Sequence, residues 1–183
     1  IKNLMLNYNQ ALPENKSFQD IQMKEIKPIM KLILRGKKRE FISAVGKSLN
    51  MLLPAEANTS TQSDKLTALW LSPDEWMISS NSPINENSNN YEVEKLLNNN
   101  ISKTNLGAVT DVSDQFVMIN LKGNKIYDLF QSGSPFNFNE FQYKKGAVIQ
   151  TILLKVDVII HNYNKNEVNL FVRRSFSQHL FSW

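Results

Sequence analysis

Two histidines, at positions 161 and 179, and no cysteine are the whole of the chain's imidazole and thiol chemistry across 183 residues. The absence of cysteine removes disulfides, thiol nucleophiles and Cys-ligated zinc or iron–sulfur centres. Two histidines leave little for a His-based metal site. Gly46-Lys47-Ser48 has the tail of a phosphate loop, but position 41, where the leading glycine would stand, is Phe. That segment also falls inside a helical pattern rather than between strand and helix. No G-x-G-x-x-G and no G-x-S-x-G occurs, and Ser134 beside Gly133 lacks the nucleophile elbow. Asp111, Asp114 and Asp128 could in principle move protons. Asp111 and Asp114 flank a strand break, however, where Asp ordinarily makes turns, and no carboxylate pair has a spacing that demands catalysis.

Binding chemistry is what is left. Residues 24–47 hold eight basic and two acidic side chains, among them Lys31, Arg35, Lys38 and Arg39. A solvated strand edge and helix face account for most of this, and a partner-facing patch is the sharper reading. Nucleic acid is not expected. Lys outnumbers Arg 17 to 4, and the one aromatic in the patch, Phe41, stands at a core-type position. Phe136, Phe138, Phe141 and Tyr143 form an aromatic run in a loop, and Trp183 stands at the end beside Phe181. Such side chains either fold back on the domain or meet another chain.

The elements that must position these residues follow from periodicity. Residues 1–25 read as an N-terminal arm with no sustained period, and 26–183 as one domain. A strand over 26–34 leads to a helix over 38–50, with Phe41, Ile42, Val45 and Leu49 at helical spacing. Residues 55–64 are polar loop. Leu66–Leu71 and Trp76–Ser80 form a hairpin about Ser72-Pro73-Asp74-Glu75. A short helix over 91–99 and strands at 109–112 and 116–121 follow. The second half repeats this order: a helix over 124–132, strands at 147–154, 156–163 and 167–173, and a closing helix over 175–181 with Ser175 as N-cap. Leu34 and Leu121, Gly36 and Gly123, and Gly46 and Gly133 each stand 87 residues apart, and Asp74-Glu75-Trp76 and Asn166-Glu167-Val168 stand 92 apart. The expectation is an α+β fold: one pseudo-duplicated domain of two related strand–helix–strand–strand–helix halves.

The first twenty residues lack the apolar run of a secretory signal. The most apolar stretch, 148–160, is interrupted by Gln150, Lys155 and Asp157. The chain is therefore expected in the cytoplasm, without a membrane span.

Ala68-Leu69-Trp70-Leu71-Ser72-Pro73-Asp74-Glu75-Trp76, Thr110-Asp111-Val112-Ser113-Asp114, Gly146 leading to Gln150-Thr151, and Val172-Arg173-Arg174-Ser175-Phe176 resemble the gamma subunit of heterotetrameric sarcosine oxidase. The resemblance runs from about Ile26 to Trp183. It implies a fold like the folate-binding domain of aminomethyltransferases, and alpha, beta and delta subunits as partners, alpha in direct contact. The complex it implies oxidises sarcosine to glycine and hydrogen peroxide, passing the one-carbon unit to tetrahydrofolate or releasing it as formaldehyde. FAD, FMN, NAD, zinc and tetrahydrofolate would lie on the other subunits or between them. No catalytic, cofactor or metal residue carries over to this chain. The corresponding subunit of N-methylglutamate dehydrogenase is the near alternative. A free-standing folate-binding aminomethyltransferase-like protein is the more distant one; Lys145-Gly146-Ala147 is similar to a K-G-C-Y segment of a folate-dependent repair family, with Ala in place of the Cys.

Overall fold

The computed structural model describes residues 10–12, 14–84 and 91–183. Eleven strands fall into two antiparallel sheets. The six-stranded sheet runs β1 (Lys16–Ser17), β2 (Gln22–Glu25), β8 (Phe116–Lys122), β11 (Glu167–Arg173), β10 (Val156–Asn164), β9 (Val148–Leu153). The five-stranded sheet runs β4 (Ser60–Gln62), β5 (Leu66–Ser72), β6 (Glu75–Ser80), β3 (Lys31–Arg35), β7 (Ala108–Asp111). Four α-helices complete the described fold: α1 (Arg39–Leu49), α2 (Tyr91–Leu97), α3 (Ile126–Gly133) and α4 (Arg174–Ser182).

Period-two alternation explains the layering. Val117, Ile119 and Leu121 of β8, with Val168, Leu170 and Val172 of β11, meet Phe130 of α3 and Leu180 and Phe181 of α4 in one core. Leu32 and Leu34 of β3 meet Phe41 and Val45 of α1 and Leu97 of α2 in a second. The odd-and-even partners on the other faces, Leu69, Leu71 and Met77 against Val148, Ile159 and Phe171, close a third, smaller core between the sheets. The order is helix, sheet, sheet, helix.

The two sheets share a register. Arg35 pairs with Glu75, and Lys122 with Glu167. Gly36 N–H donates to Asp74 O, and Gly123 N–H to Asn166 O. The hairpin registers shift at equivalent places, between Trp70 and Ser72 and between Asn162 and Asn164. These are the offsets of 87 and 92 residues seen in the sequence.

The halves differ from expectation in two respects. The polar loop at 55–64 contains β4, so three strands, not two, follow the first helix of each half. Each half also opens with a strand given to the other sheet. β2 precedes β3 in the chain yet pairs with β8; β7 precedes β8 yet pairs with β3. Of the segment expected as an arm, residues 16–17 and 22–25 are strand, and Leu12 is buried in the core under α3 and α4. Glu25 fixes that turn of chain by accepting the Ala11 and Leu12 amides at 3.2 and 2.8 Å. Ser175 lies inside α4, which starts directly from β11 without a side-chain cap.

Candidate functional site

His161, Asp111 and Asp128 are engaged within the fold. His161, on β10, is buried, and its Nε2 lies 3.0 Å from Ser60 Oγ. Ser60 spends its one hydrogen on Gly146 O at 2.8 Å. The imidazole must therefore donate to the serine, the reverse of nucleophile activation. Burial pushes the His161 pKa down to about 4, so the ring is neutral near pH 7. His179 is exposed on α4. Asp111 Oδ1 accepts the Ser113 amide at 2.8 Å and its hydroxyl at 2.6 Å, an Asx-turn between β7 and β8. Asp128 pairs with Lys125 at the surface. Among the described residues no group of three or more His, Asp or Glu converges as a metal site. No described helix is long and apolar enough to cross a membrane.

The segments that carry the sequence resemblance are joints. Trp76 Nε1 donates to Pro54 O at 2.9 Å, tying the β5–β6 hairpin to the chain after α1. Ser72 Oγ donates to Asp74 Oδ1 at 2.7 Å in the hairpin turn. Gln150 Nε2 reaches from β9 to Leu71 O at 2.6 Å, joining the two sheets.

The candidate interface residues separate into buried and exposed groups. Lys31 is 2% exposed. It shares the face of Ile33, toward the other sheet, and its ammonium donates to Ile29 O at 3.0 Å. Desolvation lowers its pKa to about 8, against the pull of Asp114, Asp111 and Glu25. It is not part of a surface patch. Arg35, Lys38 and Arg39 are exposed around the β3–α1 turn. Phe138 and Phe141 are buried, and Phe136 packs against the same core. The Phe138 ring centroid lies 4.9 Å from Phe136, 5.5 Å from Phe130 and 5.8 Å from Phe141. Asn162 Nδ2 holds this loop by donating to Phe141 O and Lys144 O. The loop rings therefore fold back on their own domain, while Tyr143 stands 82% exposed.

Trp183 is 48% exposed and rests on the end of α3. A Cβ at Gly133 would lie 2.9 Å from its Cη2, so glycine permits the contact. The indole forms part of the wall of a cavity of about 280 Å³ between β2, α3 and α4. Met23, Leu121, Leu129, Phe130 and Leu170 line it. Lys16 and Phe18 of the N-terminal segment stand with Trp183 at this site. Lys16 Nζ donates to Phe181 O at 2.8 Å and lies 4.4 Å from the centroid of that ring. Lys16 and Phe18 escaped the sequence reading because Lys16 sits in a two-residue strand, too short to show a period, and Phe18 in the turn that follows it.

A model of the sarcosine oxidase gamma subunit family matches residues 36–183, and the chain belongs to that family. In fold it is similar to a chain of the heterotetrameric sarcosine oxidase from Corynebacterium sp. U-96 in complex with pyrrole 2-carboxylate. The TM-score is 0.78 at 19% identity, over 89% of this chain and 80% of that one. It is also similar to the glycine cleavage system aminomethyltransferase T from Bartonella henselae, with a TM-score of 0.61 at 15% identity. That match covers 89% of this chain but 45% of the enzyme. No curated protein sequence matches the chain.

Proposed function

We propose that this member of the sarcosine oxidase gamma subunit family is a non-catalytic assembly subunit of a heterotetrameric sarcosine oxidase. Its partners are the alpha, beta and delta subunits, with alpha in direct contact. The complex oxidises the N-methyl group of sarcosine, and FAD, FMN, NAD, zinc and tetrahydrofolate belong to the other subunits. The observation that carries this reading is the family match over residues 36–183, joined to the fold likeness. The locked Ser60–His161 pair supports it, because the proton runs the wrong way for catalysis. The shared register of the two sheets supports the further reading that the domain arose by duplication, as in the folate-binding domains it resembles.

The cavity does not fit a folate. Its wall is apolar side chains apart from Lys16 and the indole of Trp183, whereas a pterin carries donors and acceptors on most of its rim. The test is reconstitution. The other subunits are expressed with and without this chain, and flavin content and sarcosine turnover are measured. The reading expects flavin loading or tetramer yield to collapse without the chain. Full assembly and turnover in its absence overturns it, and substrate-dependent turnover by the isolated chain overturns the non-catalytic part.

A further inference from the structure

The cavity beside β2 is half open, and its surroundings are more apolar than an ordinary surface. Phe18 is 59% exposed and Trp183 48% exposed at its edge. Two aromatics left in water beside an apolar hole are the anatomy of a hot spot, a pocket ringed by contacts that exclude solvent. We propose that this cavity seats one large apolar side chain of a partner oxidase subunit, with a carboxylate of the same partner segment held by Lys16. The inference rests on the assembly reading above.

Size and charge select that occupant. A cavity of about 280 Å³ accepts a leucine or phenylalanine side chain. Lys16 gives one of its three donors to Phe181 O, and among the described residues it makes no ion pair. An ammonium half-withdrawn over the Phe181 ring is short of an anion. A free small molecule fits less well. A ligand site encloses most of its ligand, whereas here Phe18 and Trp183 extend the apolar surface beyond the hole and need a broader cover.

The experiment uses the whole chain co-purified with the other oxidase subunits. Hydrogen exchange is compared between free and assembled chain, and the assembly constant is measured for the wild type, Trp183→Ala, Lys16→Glu and Lys16→Arg. Expected are slower exchange over residues 16–25 and 180–183 in the complex and a roughly thirtyfold weaker assembly for Trp183→Ala, about 2 kcal/mol. Lys16→Glu should weaken assembly about tenfold or more, and Lys16→Arg should stay near the wild type. Thermal melting of each free variant separates misfolding from lost contact, and Lys16→Glu carries the test should Trp183→Ala melt early. Unchanged assembly in both variants overturns this site while leaving the assembly role standing. No complex with the wild-type chain overturns both. Saturable binding of octanoate, read by Trp183 emission and indifferent to the other subunits, overturns the protein occupant in favour of a small carboxylate.

Discussion

Carry a urea titration of this protein from pH 8 to pH 10, and its stability should climb because of Lys31. The side chain is 2% exposed between the sheets, and burial lowers its pKa to about 8 from 10.5. Between those values the unfolded chain still holds the proton while the native state has released it. Stability therefore rises with pH across that window, and the native charged form is penalised below it. At about 1.4 kcal/mol per pH unit, with the native group half titrated at pH 8 and the unfolded one beginning to titrate near pH 10, the rise is roughly 2 kcal/mol. The window closes as the unfolded lysine loses its own proton, and from pH 10 Tyr127, raised to about 12 by burial, acts in the opposite sense. Its unfolded form ionises first, and stability is lost as pH climbs from 10 to 12. Unfolding is followed by emission of Trp70 and Trp76, and Lys31→Met serves as the control. The wild type should gain roughly 2 kcal/mol from pH 8 to 10, and the variant should stay flat. An equal climb in both assigns the effect to other groups. A flat wild type means that the native ammonium is solvated and the burial argument is wrong.

Three further outcomes follow from named contacts. Gly123 has φ of +143°, and a Cβ there would run into the Asp20 carbonyl oxygen, so Gly123→Ala should cost about 3 kcal/mol and loosen β2 from β8, read by exchange at residues 22–25; a loss under 1 kcal/mol contradicts the contact. The Tyr127 hydroxyl is buried without a hydrogen-bond partner, so Tyr127→Phe should raise stability by about 1 kcal/mol in chemical denaturation, and destabilisation would show a partner after all. Asn162→Ala removes the side-chain donor to the Phe141 and Lys144 carbonyls and should cost about 1–2 kcal/mol, with a change in near-UV dichroism of the Phe136–Phe141 cluster; an unaltered spectrum would show that the loop is held by ring packing alone.

Alternation and turn residues made the long elements legible. Leu32 and Leu34, Trp76 and Ile78, and Val168, Leu170 and Val172 each mark one buried face, and Pro73-Asp74 marks its hairpin. The spacing of Gly36 and Gly123 reported equivalent places in two sheets before any pairing was known. The fate of the opposite faces was not legible. A strand covered on one side and a strand covered on both differ only in what another part of the chain brings, so Lys31 looked like an edge residue. The aromatic loop was ambiguous for the same reason: whether Phe138 meets its own core or a partner depends on where Tyr127 and Phe130 of α3 arrive. Tyr143, in the same run, is left outside because the helical turn at 141–143 sends Phe141 inward and Tyr143 away.

The exchanged strands bear on what counts as the working unit. The family match begins at residue 36, which would leave out β1, β2 and β3. Yet β3 stands between β6 and β7 in the five-stranded sheet, and without it β7 loses its described strand partner and β6 one of its two. β2 supplies the far partner of β8 and, through Met23, part of the cavity wall. A strand lent by the first half thus builds an apolar cavity of the second, next to α4 from the far end of the chain. Neither half could offer that site alone, since one contributes Lys16, Phe18 and Met23 and the other Phe130, Phe181 and Trp183. Exchange of the leading strands binds the halves into one cooperative body, and it places the first described residues and the last ones on a single surface where a neighbour can grip both.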